Sequence, residues 1–264
     1  MKKRHLVYAI ALIVGMGACA ASAKKQAEAK PDVWKSYNVG TVLFEDKASE
    51  TKGSDIYHRI IPDAESYIKE QARTVLATLY NSPEDSITPV NKIHYTLEDI
   101  EGISAKGGGN GDVTIFYSTR HIEKSFAEND TAKLFFETRG VLLHELTHAY
   151  QLEPQGIGSY GTNRVFWAFI EGMADAVRVA NGGFDGPNAR PKGGNYMDGY
   201  RTAGYFFVWL RDNKDPEFLR KFNRSTLEVV PWSFDGAIKH ILGNEYNIDE
   251  LWHEYQVAVG DIQA

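Results

Sequence analysis

The stretch LLHELTHAYQ, residues 142–151, sets two histidines four positions apart with a glutamate directly after the first. Four residues is about one helical turn, so His144 and His148 project from the same side of a helix and both imidazoles can reach one metal ion. Counted at 100° per residue from His144, His148 falls at about 40° and Glu145 at about 100°. Leu142, Leu143, Leu146, Ala149 and Tyr150 fill an apolar arc on the other side. The spacing predicts a helix that buries one face and presents His, Glu and His on the other, with Glu145 able to take a proton from a water at the metal.

Zinc in a catalytic site usually keeps three protein ligands and one position for water, so a third ligand must come from elsewhere in the chain. In one large class of such enzymes it is a histidine six residues beyond the second, but Pro154 stands there. FWAFIEGMADAVRVA, residues 166–180, offers Glu171 and Asp175 one turn apart, with Phe166, Phe169, Ile170, Met173 and Val177 on the opposite face. Both acids are candidates. Glutamate has the longer reach, and Gly172 beside it is expected to let this helix approach the HELTH helix closely.

The elements that must hold these residues follow from periodicity. TVLFE (41–45), NKIHYTLED (91–99) and DVTIFYS (112–118) are β-branched and aromatic runs bounded by turn residues, hence strands. Residues 62–80 open with Pro62 and Asp63 and repeat apolar residues at helical spacing. KGGGNGD (106–112) leads into a strand rather than a helix, which excludes a phosphate cradle and leaves a flexible hairpin or cleft-edge turn. Beyond residue 130 helical patterns dominate, over about 132–152, 164–181, 197–211, 216–224, 233–242 and 248–257. Strands first and helices later predict an α+β domain with a cleft between its halves, and DVTIFYS is expected to offer an edge to an extended substrate.

The first 23 residues stand apart. Lys2, Lys3 and Arg4 precede an apolar run from Leu6 to Gly17, too short for a comfortable membrane span and laid out as a secretory signal. ASA (21–23) suits ordinary cleavage, while MGAC, ending at Cys19, resembles a bacterial lipobox with Met16 where leucine is usual. Two forms therefore compete: a free exported protein, secreted or periplasmic, and one tethered to a membrane by a lipid anchor on Cys19. Residues 24–36 read as a tether and 37–264 as the folded domain. Cys19 is the only cysteine, so the domain has no disulfide. The net charge is −6, and loss of the leader makes it more negative, which argues against a nucleic-acid partner.

Taken in order, GVLLHELTHAYQ, IEGMADAVRV, DGYRTAGYFFVWL and LWHEYQ resemble the successive blocks of the basic secretory protein family of plants and bacteria, a group of zincin-type metallopeptidases. The resemblance implies a zincin-like fold, with a strand-rich upper lobe, a helical lower lobe and the active-site cleft between them. It also implies Zn2+ as cofactor and protein or peptide substrates. Residue by residue it reaches His144, Glu145, His148, Glu171, Asp175 and Tyr200. EGMAD has the Glu-x-x-x-Asp spacing of gluzincins, which implies that Glu171 binds zinc and Asp175 accepts a hydrogen bond from His144. The acidity of this chain departs from the family's name, so nothing about substrate charge carries over.

Tyr200 is expected either to hydrogen-bond the oxyanion formed when a peptide carbonyl is attacked or to pack at the cleft rim, and Tyr205 to pack. Arg178 can pair with Asp175, anchor a substrate carboxylate, or be an ordinary surface arginine. His94, His121, His240 and His253 have no ligand-like neighbours and read as structural. The resulting expectation is an exported zinc metallopeptidase in which Glu145 is the general base. The alternative is a surface binding protein that keeps the scaffold without turnover.

Overall fold

Three of the strands lie where the β-branched runs place them. In the computed structural model, which describes residues 32–125 and 130–263, β1 is Thr41–Asp46, β2 is Lys92–Glu98 and β4 is Asp112–Ser118. A further strand, β3 (Ser104–Gly109), takes up the glycine run. The sheet order is β1-β2-β4-β3, with β1, β2 and β4 parallel and β3 antiparallel to β4. The glycine stretch is thus a strand rather than a loop, and the hairpin turn is confined to Asn110 and Gly111, both left-handed at φ 53° and 83°. Glycine is required inside β3: a Cβ on Gly108 would stand 2.1 Å from the Asp112 carbonyl oxygen. The same order corrects the expectation for DVTIFYS. As β4 it lies between β2 and β3, so its backbone is paired on both sides and the sheet edges are β1 and β3, of which β3 lines the cleft.

Helices α1 (Lys52–Ile60) and α2 (Ala64–Leu79) connect β1 to β2, and α3 (Thr119–Ser125) follows β4. The C-terminal half is α4 (Thr131–Tyr150), α5 (Arg164–Ala180), α6 (Tyr200–Asn213), α7 (Phe218–Glu228), α8 (Phe234–Leu242) and α9 (Ile248–Ala258). The result is an α+β fold of one four-stranded sheet and nine helices among the described residues. Of these, α1 and α3 carry too few periodic residues to stand out in the sequence. The helix expected from 197 begins at Tyr200, because Gly199 adopts φ 65° after a short 3-10 turn at Tyr196–Asp198.

Two helices form the floor of the molecule's main cleft. Asp130 caps α4 by accepting from the Lys133 amide at 2.9 Å, and Asn163 caps α5 by accepting from Val165 and Phe166 at 2.7 and 3.2 Å. The C-terminal end of α4 is pinned by Tyr150, whose hydroxyl donates to the Val39 carbonyl at 2.7 Å while its own carbonyl accepts from Tyr80 at 2.6 Å. Behind α5, Phe169 meets Trp232 and Phe222 edge-on, with centroids 4.7 and 5.2 Å apart.

Gly172 does provide clearance, but toward α6 rather than α4. A Cβ there would come within 2.7 Å of both the Ala203 side chain and the Phe207 ring. Gly204 answers from α6, where a Cβ would sit 2.9 Å from the backbone of Asp175 and Ala176. These two glycines let α5 and α6 press together, so α5 is buried on almost every side from Phe166 to Arg178.

No helix among the described residues is long and apolar enough to cross a membrane. The signal segment, Cys19 and most of the tether lie outside the described residues. Trp34, inside the stretch read as tether, is buried and packs edge-on against Tyr37 at 5.5 Å.

Candidate metal centre

Because α4 and α5 pack side by side, the two polar faces meet at one point. Nε2 of His144 and Nε2 of His148 are 3.0 Å apart, and Oε2 of Glu171 lies 3.3 Å from the first and 3.6 Å from the second. A four-coordinate ion with donors at about 2.1 Å requires donor pairs roughly 3.4 Å apart. The three atoms already have that spacing. Glu171 is only 4% exposed, and its Oε2 is buried with no hydrogen-bond partner, an arrangement that is costly unless a cation completes it. His144, His148 and Glu171 can therefore hold a metal ion.

The surrounding residues fix the ligand orientations. Asp175 Oδ1 lies 2.7 Å from His144 Nδ1, accepting the proton there and directing the Nε2 lone pair into the site. On His148 the corresponding nitrogen faces the Gln151 amide nitrogen at 2.9 Å, and Gln151 Oε1 is buried without a partner. Turning that amide over satisfies its oxygen and puts the proton on Nδ1, which frees His148 Nε2 for a metal. Burial lowers the His144 imidazole's pKa, but the hydrogen bond to Asp175 and the nearby Glu171 carboxylate outweigh it and lift it to about 10. Burial pushes the Glu171 carboxyl up, but the two imidazoles close to it and the hydrogen bond from Tyr160 carry it well below the usual range.

Glu145 is 6% exposed and lines the cleft beside the triad, and its carboxylate makes no hydrogen bond to another described residue. Tyr200 is half exposed, adopts φ 42°, and lays its ring parallel to the His144 imidazole with centroids 6.0 Å apart. Trp167 supports it edge-on at 5.4 Å. Burial and the nearby carboxylates of Glu171, Asp175 and Glu145 raise its pKa, so the phenol is a proton donor at neutral pH. The cleft encloses about 880 Å³, and Ile103 with Ser104 to Lys106 at the start of β3 forms one of its walls. Phe166 and Ile170, expected opposite the acids, line it as well.

The other polar residues stand outside the triad. Arg178 is buried and pairs with Glu137 at 2.6 Å, not with Asp175. Tyr205 turns its hydroxyl onto the Phe184 carbonyl. His94, His121 and His240 bond Glu45, Glu137 and Glu228, and His253 lies exposed on α9.

Sequence reading passed over Tyr160 and Gln151. Tyr160 donates to Glu171 Oε1 at 2.6 Å from the loop between α4 and α5. That loop has no periodicity to draw attention to it, whereas Gln151, one turn after His148, stood within reach of the helical count.

A sheet edge beside two helices that bring two imidazoles and a carboxylate to one point defines a candidate metal centre in a substrate-sized cleft. The chain belongs to the family described as peptidases of plants and bacteria, which matches residues 39–255. Neither a curated protein nor a solved structure gives a significant match.

Proposed function

We propose that the protein is an exported zinc-dependent metallopeptidase with a zincin-like fold of the gluzincin kind, holding zinc through His144, His148 and Glu171. The observation that carries the reading is the convergence of those three ligand atoms within 4.8 Å of one another, in a chain of a peptidase family. Two nitrogens and one oxygen suit zinc and leave a fourth position open. Zinc bound there supplies a Lewis acid that polarises a carbonyl and acidifies water at neutral pH.

The chain's own groups supply the rest. Glu145, lining the cleft and not engaged by another described side chain, takes the proton of the attacking water and delivers it to the leaving amine. Asp175 orients His144, and Gln151 does the same for His148. Tyr200 is the phenol at the cleft surface that can donate to the oxyanion. β3 is the sheet edge that lines the cleft, so an extended peptide pairs with it and is held with its carbonyl over the triad. Export rests on the layout of residues 1–23, and a lipid on Cys19 is the alternative to free release.

Digestion of a diverse peptide library, read by mass spectrometry, tests this reading. Cleavage that stops with a chelator and returns with zinc is expected. A zinc-loaded preparation that cleaves nothing would leave a binding protein on the same scaffold.

A further inference from the structure

One end of the cleft holds charged groups that the hydrolytic chemistry does not use. Arg178 lies two turns beyond Glu171 on α5, is 5% exposed, and passes over α4 at Gly140, where a Cβ would stand 2.3 Å from its Nε. Its Nη2 donates to Glu137 Oε2 at 2.6 Å, and the guanidinium carbon sits 3.8 Å from the centroid of the Phe184 ring. Its Nε is buried with no hydrogen-bond partner. Arg201, next to Tyr200 at the start of α6, brings a second guanidinium within 5.4 Å of the same ring. Arg201 is exposed and donates to the Ala189 carbonyl at 3.1 Å, and among the described residues no carboxylate is within ion-pair range of it. Glu137, Arg178, Phe184 and Arg201 all line the cleft that contains the triad.

Phe184 is held there against its backbone preference. Its φ is 55°, in the left-handed region that a bulky side chain avoids, and its carbonyl accepts from the Tyr205 hydroxyl. Left-handed backbone in a residue of this kind is strained and persists only where its surroundings enforce it. What the strain achieves is an aromatic face laid against Arg178 and close to Arg201. Arg178 and Arg201 flank the ring, Glu137 is taken up by Arg178, and Asp185 follows Phe184 in the exposed loop, in a chain whose net charge is −6 and whose cleft carries Glu145, Glu171 and Asp175 at its centre.

We propose that this end of the cleft is a carboxylate-binding subsite, with Arg201 as the group that contacts the ligand and Arg178, fixed by Glu137 and Phe184, as the positive floor beneath it. A guanidinium fork matches a carboxylate bidentately, and low-dielectric walls focus the field of the two cations into the cleft. Two turns of α5 span about 10 Å, the length of roughly three residues of extended peptide. The preferred substrates therefore carry a carboxylate within about three residues of the scissile bond, either an Asp or Glu side chain or the peptide's own C-terminus. This subsite rests on the peptidase reading above.

The test uses zinc-loaded protein and matched peptides that differ only in Glu against Gln near the scissile bond, or in a free against an amidated C-terminus. The carboxylate-bearing member is expected to have a kcat/KM about tenfold higher, which corresponds to about 1.4 kcal/mol. That ratio should fall toward one in Arg201→Gln. A gain that follows Glu identifies a side-chain subsite, and one that follows the free terminus identifies an end-reading subsite. Equal rates for charged and neutral peptides, or a preference untouched by Arg201→Gln, overturn the subsite and leave the peptidase reading standing. If no peptide is cleaved, the peptidase reading falls and binding decides. Fluorescein-labelled versions of the same peptides, titrated by anisotropy with zinc-loaded Glu145→Gln, should bind more tightly with the carboxylate and lose that advantage when Arg201→Gln is added. Binding that ignores the carboxylate overturns the proposal.

Discussion

Tyr160 donates its phenolic proton to Oε1 of Glu171 across 2.6 Å, reaching the carboxylate from the loop that joins the histidine helix to the acid helix. One oxygen of the carboxylate is thereby engaged, and Oε2 is left to face both imidazoles. The Glu171 carboxylate is thus oriented, with one oxygen toward the imidazoles, by a residue on a different element. Tyr160→Phe keeps the ring and removes the proton. Zinc affinity, measured by competition with a chromophoric chelator, should weaken by about 10- to 100-fold, the usual effect of losing a group that orients a ligand. Unchanged affinity would mean that helix packing alone orients Glu171.

Glu171 and Asp175 should respond differently to truncation. Glu171→Ala removes one of three converging donors and should purify without zinc. Asp175→Ala leaves the donors in place but frees the His144 ring, so zinc should remain bound with affinity or activity reduced about 10- to 100-fold. Metal content of the two purified variants checks this, and the reverse pattern would make Asp175 the ligand.

Glu137 links the acid stability of the fold to the end of the cleft. Burial opposes its charge, but hydrogen bonds from His121 and Arg178 and the Arg178 charge hold its carboxyl below the ordinary value of 4.5. A carboxyl whose pKa is lower in the folded state stabilises the fold above its unfolded pKa, and that contribution is lost as pH falls through the lowered value. Glu137→Gln should therefore be less stable than the parent at pH 7 by about 2 kcal/mol, since Arg178 loses its charged partner. The gap should shrink as the pH is taken below that of free glutamate, as thermal unfolding across a pH series would show.

How much of this could be read in advance depended on what fixes each feature. The one-turn spacing of His144 and His148, and of Glu171 and Asp175, is a property of helix geometry, so the shared faces were legible, and His144, His148 and Glu171 do come together. β3 was not legible, because Gly107, Gly108 and Gly109 have no intrinsic strand preference and are ordered only by pairing with β4. For the same reason the sequence points to β4 as an open edge, since its pattern is strand-like whichever neighbours it has. Gly172 announced a close approach but not its partner, since α4 and α6 both flank α5 and only three-dimensional packing selects α6. Tyr160 and Phe184 sit in loops, where no period links a residue to what it touches.

The central claim is that Glu145 acts on water at a metal held by His144, His148 and Glu171, and Glu145→Gln tests it most directly. The change keeps the shape of the side chain and removes its ability to take a proton. Zinc content should stay near one per chain while hydrolysis of a good peptide substrate falls by about 10²- to 10⁴-fold, the range associated with general-base catalysis. Turnover comparable to the parent at full zinc occupancy would contradict the account.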